Sequence, residues 1–136
     1  MKTCVVDAWA FSEWLKAAEP ATSRLDELLA ASQKGSVRLY ASAINIGEVY
    51  YSLLKKNAPA LARDWRDRAP TLPVKIEVPT MEDIWQASEI KGRFTISYAD
   101  AFAAALAQKV RGTLVTGDPD FRQIHGLKLD WVGTPY

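Results

Sequence analysis

The chain has 136 residues, 49% apolar and 24% charged, with 17 Lys and Arg against 16 Asp and Glu for a formal charge of +1. That length closes one substantial core rather than two, and the near-zero charge argues neither for nor against a nucleic-acid partner, so any basic surface is local. The single cysteine, Cys4, excludes an internal disulfide and a multi-thiolate zinc site, which suits a reducing, cytoplasmic setting; no apolar run reaches the roughly 18 residues of a membrane span.

Along the chain, short β-like runs alternate with longer helical ones. "KTCVVDA" reads as a first strand, buried on both faces because its apolar residues do not alternate with polar ones. Its opening "MKTCVVDAWA" has the outline of a signal sequence, but Asp7 and Glu13 interrupt it and it reads as structure. "WAFSEWLKAA" is a helix with Phe11, Trp14, Leu15 and Ala18 at helical spacing. "ATSRLDELLAASQKG" is a second helix, with Leu25, Leu28 and Leu29 as its stripe and Gly35 as its stop. A second strand, "SVRLYAS", leads into the helix "AINIGEVYYSLLKKN", and the basic helix "PALARDWRDRA" stops at Pro70. "LPVKIEVP" is a period-two strand that places Val74, Ile76 and Val78 on one side. "TMEDIWQASEIKGRF" is a helix with a Thr N-cap and an acidic first turn. The Ala-rich helix "SYADAFAAALAQKVRG" is capped by Ser97 and ended by Gly112. "TLVTGD" is a fourth strand and "LKLDWVG" a short fifth, antiparallel or at an edge. Strands separated by helices imply crossovers, hence one α/β domain over residues 1–136: a three-layer α/β/α sandwich with a mostly parallel central sheet.

In such sheets ligands gather beyond the carboxyl ends of the strands. Asp7 closes the first strand, Asp118 and Asp120 follow the fourth in "LVTGDPDF", Asp100 opens the Ala-rich helix, and Glu48 lies in "INIGEVYYSL" after the second strand. Each has a structural role open to it. Asp7 fits an N-cap, Asp100 fits the S-x-x-D arrangement with Ser97, and Asp118 and Asp120 fit turn-stabilising bonds. Glu48 sits beside a core stripe and needs a partner or a metal, and the neighbouring Gly47 suggests close approach of another group. Together, like charges at one sheet edge repel unless a cation joins them, and hard Mg²⁺ or Mn²⁺ suits an all-oxygen set.

The stretches "CVVDAWA", "INIGEVYY", "ISYADAFAAALA" and "LVTGDPDF" resemble, in order, the motifs of PIN-domain ribonucleases, and most of all the VapC-type toxins of prokaryotic toxin–antitoxin pairs. The resemblance runs from Val5 to Val132. It implies Asp7, Glu48, Asp100 and Asp118 as catalytic acids and metal ligands, with Asp120 as an auxiliary ligand and Thr116 and Ser97 in support. It also implies an RNA substrate, a homodimer, and a cognate antitoxin whose arm covers the acids. Water activated by the held cation would leave a 5′-phosphate and a 3′-hydroxyl, with no histidine base; the only histidine, His125, lies past the turn.

Lys91, Arg93 and Arg122 stand near the acidic motifs as candidates for phosphate contact. The run from Lys55 to Arg68 offers Lys55, Lys56, Arg63, Arg66 and Arg68, and equally fits a solvated helix with an Asp64–Arg68 pair. Trp14 and Trp85 fall on core-facing stripes, and core packing is also expected of Trp9 and Trp65. A phosphatase of the haloacid-dehalogenase type wants a second Asp where Trp9 stands, and a receiver domain wants an acidic pair after the first strand. A DNA-directed nuclease and a non-catalytic RNA- or protein-binding module on the same fold remain as alternatives.

Overall fold

In the computed structural model, which describes residues 1–135, strand β1 (Lys2–Val6) runs through the middle of the sheet. Its residues Cys4, Val5 and Val6 are fully buried, so side chains on both faces are covered. The strand is flanked by β2 (Val37–Ser42) and β4 (Thr113–Thr116), with β3 (Lys75–Glu77) and β5 (Leu129–Trp131) at the edges. All neighbouring pairs are parallel, with Cys4 opposite Leu39 on one side and Thr113 on the other. The edge strand β5 is therefore parallel, not antiparallel. It reaches that register through Leu114 N–H donating to the Lys128 carbonyl and Val132 N–H to the Thr116 carbonyl.

Alternation along the strands divides the core into two layers. Cys4, Val6, Leu39, Ala41 and Val115 meet helices α1 (Ala8–Leu15), α2 (Ala21–Gln33), α3 (Ala43–Lys55) and α4 (Pro59–Arg68). On the opposite face Val5 and Leu114 meet α5 (Met81–Arg93) and α6 (Tyr98–Lys109). Trp65 is fully buried in the first layer, its ring 5.0 Å from that of Phe11 and its indole N–H donating to the Ile46 carbonyl at 3.0 Å. Fixing α4 to α3 by an aromatic anchor of this kind buries on the order of 2–3 kcal/mol of apolar surface. Helix α6 lies between the sheet and α5, so every residue from Ala101 to Leu106 is buried and no amphipathic stripe survives. Its alanines let it approach the strands closely.

The structure departs from the expectations in four places. Strand β3 has three residues, and Val78 beyond it is 74% exposed because Pro79 takes the chain out of the sheet. Trp85 is 59% exposed: α5 packs through Ala87 and Ile90, and Trp85 points roughly 100° per residue away from that row. Gly47 faces open space, with no group approaching it. Helix α6 ends with Arg111 in the left-handed region at φ 53°, whereas Gly112 is small because the Thr3 carbonyl would lie 2.9 Å from a Cβ. Among the described residues no helix is long and apolar enough to cross a membrane.

Candidate active site

The strand order reverses between β1 and β4, because the chain moves outward from β1 through β2 to β3 before returning to the other side. At such a switch point the loops part and leave a crevice. Asp7 leaves β1 there, its N–H still donating to the Val115 carbonyl of the neighbouring strand. Asp7 is 1% exposed. It caps α1 by accepting from Ala10 N–H at 2.8 Å, and its other oxygen accepts from the Thr116 hydroxyl. The capping role open to Asp7 in the sequence is thus realised.

Thr116, the last residue of β4, links two of the acids. Its hydroxyl donates to Asp7 and accepts from Asp118 N–H at 3.0 Å. Asp118 in turn caps a 3-10 turn, Pro119–Gln123, by accepting from Asp120 N–H. The chain makes this turn beneath Trp9. A Cβ on Gly117 would lie 2.3 Å from the Trp9 ring and 2.7 Å from Gly133 Cα, so glycine is dictated by crowding. Asp100 stands in the first turn of α6, whose cap Ser97 accepts from its N–H at 3.0 Å. The loop before that cap is tied to the 3-10 turn by Gln123, which accepts from Thr95 N–H and donates to the Thr95 and Asp120 carbonyls. As a result one carboxylate oxygen from each of Asp100, Asp118 and Asp120 lies within 4.8 Å of the others.

Glu48 lies outside that trio, part-buried on α3. Asn45, one turn earlier and fully buried, donates to the Glu48 carboxylate at 3.3 Å and to the Ala99 carbonyl at 3.0 Å, joining α3 to the start of α6. Sequence reasoning missed Asn45, because a helical asparagine carries no periodic signal and its partner is far along the chain. A cleft of about 390 Å³ is lined by Glu48, Asp100 and Asp118, with Ser97 at the same mouth.

The electrostatics reflect crowding of one sign. Burial pushes the Asp7 carboxyl up to about 8; hydrogen bonds from Thr116 and Ala10 oppose this, and the charges of Asp100 and Asp118 add to it. Asp100 rises to about 7 through burial and then repulsion from Asp118 and Glu48. Glu48 is also raised, by burial first and by Asp118, against the Asn45 hydrogen bond. Carboxyls held this way bind either protons or a hard cation, and their all-oxygen donor set fits Mg²⁺ or Mn²⁺.

The remaining candidates, Lys56 apart, lie outside the lining of that cleft. Lys91 and Arg93 are exposed in the last turn of α5, and Arg122 stacks over the Trp131 ring at 4.1 Å. Of the basic run, Arg68 pairs with Asp64 at 3.5 Å and lies over Trp14, and Arg66 and Lys55 lie over tyrosine rings. His125 is exposed.

Comparison with known proteins places these features. The family model described as the PIN domain matches residues 4–127. No curated protein matches. Among solved structures, VapBC2 from Rickettsia felis bound to a fragment of its promoter DNA superposes with a TM-score of 0.73 at 16% identity, covering 94% of this chain and 97% of that one. The sarcin–ricin loop cleaving toxin VapC20 of Mycobacterium tuberculosis gives 0.72 at 20% identity, covering 88% and 93%. A toxin–antitoxin complex from Klebsiella pneumoniae gives 0.66 at 18% identity, covering 98% of both chains.

Proposed function

The chain belongs to the PIN domain family, and from that premise we propose that residues 1–136 form a single-domain, metal-dependent endoribonuclease, a VapC-type toxin acting in the cytoplasm and restrained by a cognate antitoxin. The observation that carries this reading is the convergence of Asp7, Glu48, Asp100, Asp118 and Asp120 on the β1–β4 switch point. Asp100, Asp118 and Asp120 would hold Mg²⁺ or Mn²⁺ directly, with Asp7 and Glu48 completing the charge around them. The bound cation would supply Lewis-acid polarisation of a phosphate oxygen and acidify water beside it.

The protein's own part is positioning. Thr116 fixes Asp7 relative to Asp118, Ser97 fixes the first turn beneath Asp100, and Asn45 turns the Glu48 carboxylate toward α6. In hydrolysis the water oxygen bonds to phosphorus and the bond from phosphorus to O3′ breaks. O3′ then takes a proton, leaving a 3′-hydroxyl and a 5′-phosphate. The similarity to toxin–antitoxin complexes supports an antitoxin partner, and homodimerisation belongs to the same proposal.

The test is sequencing of RNA 5′ ends after induced expression, comparing wild type with Asp7→Asn. New 5′-phosphate ends at defined positions, present only with wild type, are expected. Cleavage confined to DNA, or RNA ends unchanged by expression, would contradict the reading in favour of a DNA-directed nuclease or a binding module.

A further inference from the structure

Resting on the nuclease reading, we propose that Lys16 and Lys56 form a phosphate-binding subsite that holds the nucleic-acid strand beside the bond to be cut. Both lysines line the cleft that holds Glu48, Asp100 and Asp118, and among the described residues they are the only cations lining it. The proposed divalent cation would meet a phosphate at the carboxylates themselves; away from it a polyanion still faces cleft acids such as Glu13, and these two side chains supply positive charge there.

Helix geometry sets where they act. Helix α1 starts directly after Asp7 and ends at its C-cap Lys16, and α3 carries Glu48 mid-length and ends at its C-cap Lys56. Ser12 and Lys16 on α1, and Glu48, Ser52 and Lys56 on α3, repeat at four-residue spacing, so each set forms one row along its helix facing the cleft. Eight residues of helix separate Glu48 from Lys56 by about 12 Å. The lysines therefore meet a phosphate flanking the one at the carboxylates. Lys16 also pairs at 3.7 Å with Glu13, a part-buried carboxylate of the same cleft, but the contact is long and the lysine exposed, so a phosphodiester can displace it. Of the cations picked out from the sequence, Lys56 of the basic run lines this cleft, and Lys91, Arg93 and Arg122 do not.

A cation at a helix C-cap also complements the helix dipole, so the test must separate the two roles. The Lys16→Gln/Lys56→Gln double variant is compared with Lys16→Arg/Lys56→Arg in cleavage kinetics on an RNA fragment cut by wild type. Binding is read separately by anisotropy of a fluorescein-labelled single-stranded RNA of about 12 nucleotides, with each pair placed on an Asp100→Asn background. The glutamine pair is expected to raise KM about tenfold with kcat within about twofold, and to reduce the slope of log affinity against log salt by about 1.4 for two lost contacts; the arginine pair restores both. Unchanged KM and salt slope with a lowered thermal midpoint would overturn the proposal and leave helix capping as the role. A fall in kcat at constant KM would overturn it too, by placing the lysines at the reacting phosphate. If wild type itself neither binds nor cuts RNA, the nuclease reading fails and the subsite with it.

Discussion

Asp100→Asn, and separately Asp7→Asn, is expected to lower RNA cleavage by the purified chain about 10²–10³-fold while the circular dichroism spectrum stays that of wild type. The two variants remove charge and little else. At Asp100 the bond to the Ser97 cap is made by the backbone N–H, which an asparagine keeps. At Asp7 an amide oxygen still accepts from Ala10 N–H, and the amide nitrogen faces the Thr116 hydroxyl, an atom able to accept from it. Asp100→Asn would take one carboxylate from the trio proposed to hold the cation, and Asp7→Asn would remove charge beside that trio, so both effects are expected to fall on catalysis. Near-wild-type cleavage by either variant would remove that carboxylate from the mechanism, and by both would remove the mechanism.

The second large effect is on stability. Asp7 and Asp100 have folded-state pKa values of about 8 and about 7, above the ordinary 3.8 of the unfolded chain. The folded state therefore keeps protons that the unfolded state has already released. Their stabilising contribution is full below about pH 4 and is lost as pH rises through 7 and 8. Asp83, whose carboxyl is lowered chiefly by its hydrogen bond from the Thr80 backbone, acts only at the acid end, outside this window. In EDTA the thermal midpoint should fall between pH 5 and pH 8, by roughly 5–10 °C. Mg²⁺ should restore it, more at pH 8 than at pH 5, because a cation that binds only the folded state stabilises it. Asp100→Asn in EDTA should flatten the profile and melt above wild type at pH 8, trading activity for stability. A midpoint that is flat with pH, or indifferent to Mg²⁺, would show that the carboxylates carry no such strain.

Both effects come from a site that was partly legible in the sequence. The acids were visible because each stands where a strand ends or a helix begins, and the helix and strand runs themselves follow from apolar spacing. Strand order was not visible. That β1 lies beside β4 is what lets Thr116 join Asp7 to Asp118 across most of the chain, and no local pattern encodes it. Asp120, expected only as an auxiliary acid, shares one oxygen cluster with Asp100 and Asp118, because the 3-10 turn folds it back and Gln123 fixes it there. Asn45 and Lys16 were missed for a similar reason, and Lys56 was visible only as one of a basic run, since their roles depend on where α1, α3 and α6 meet. Trp85 misled in the opposite direction: its spacing fits an apolar row, but the row α5 buries is set by Ala87 and Ile90.

Whether the clustered carboxylates act through a divalent cation on RNA is decided by incubating the purified wild-type chain with RNA in Mg²⁺ or Mn²⁺ and in EDTA, then determining the chemistry of the new ends. Cleavage only with the cation, leaving 5′-phosphates and 3′-hydroxyls, is the result predicted. Undiminished cleavage in EDTA, or 2′,3′-cyclic phosphate ends, would contradict it.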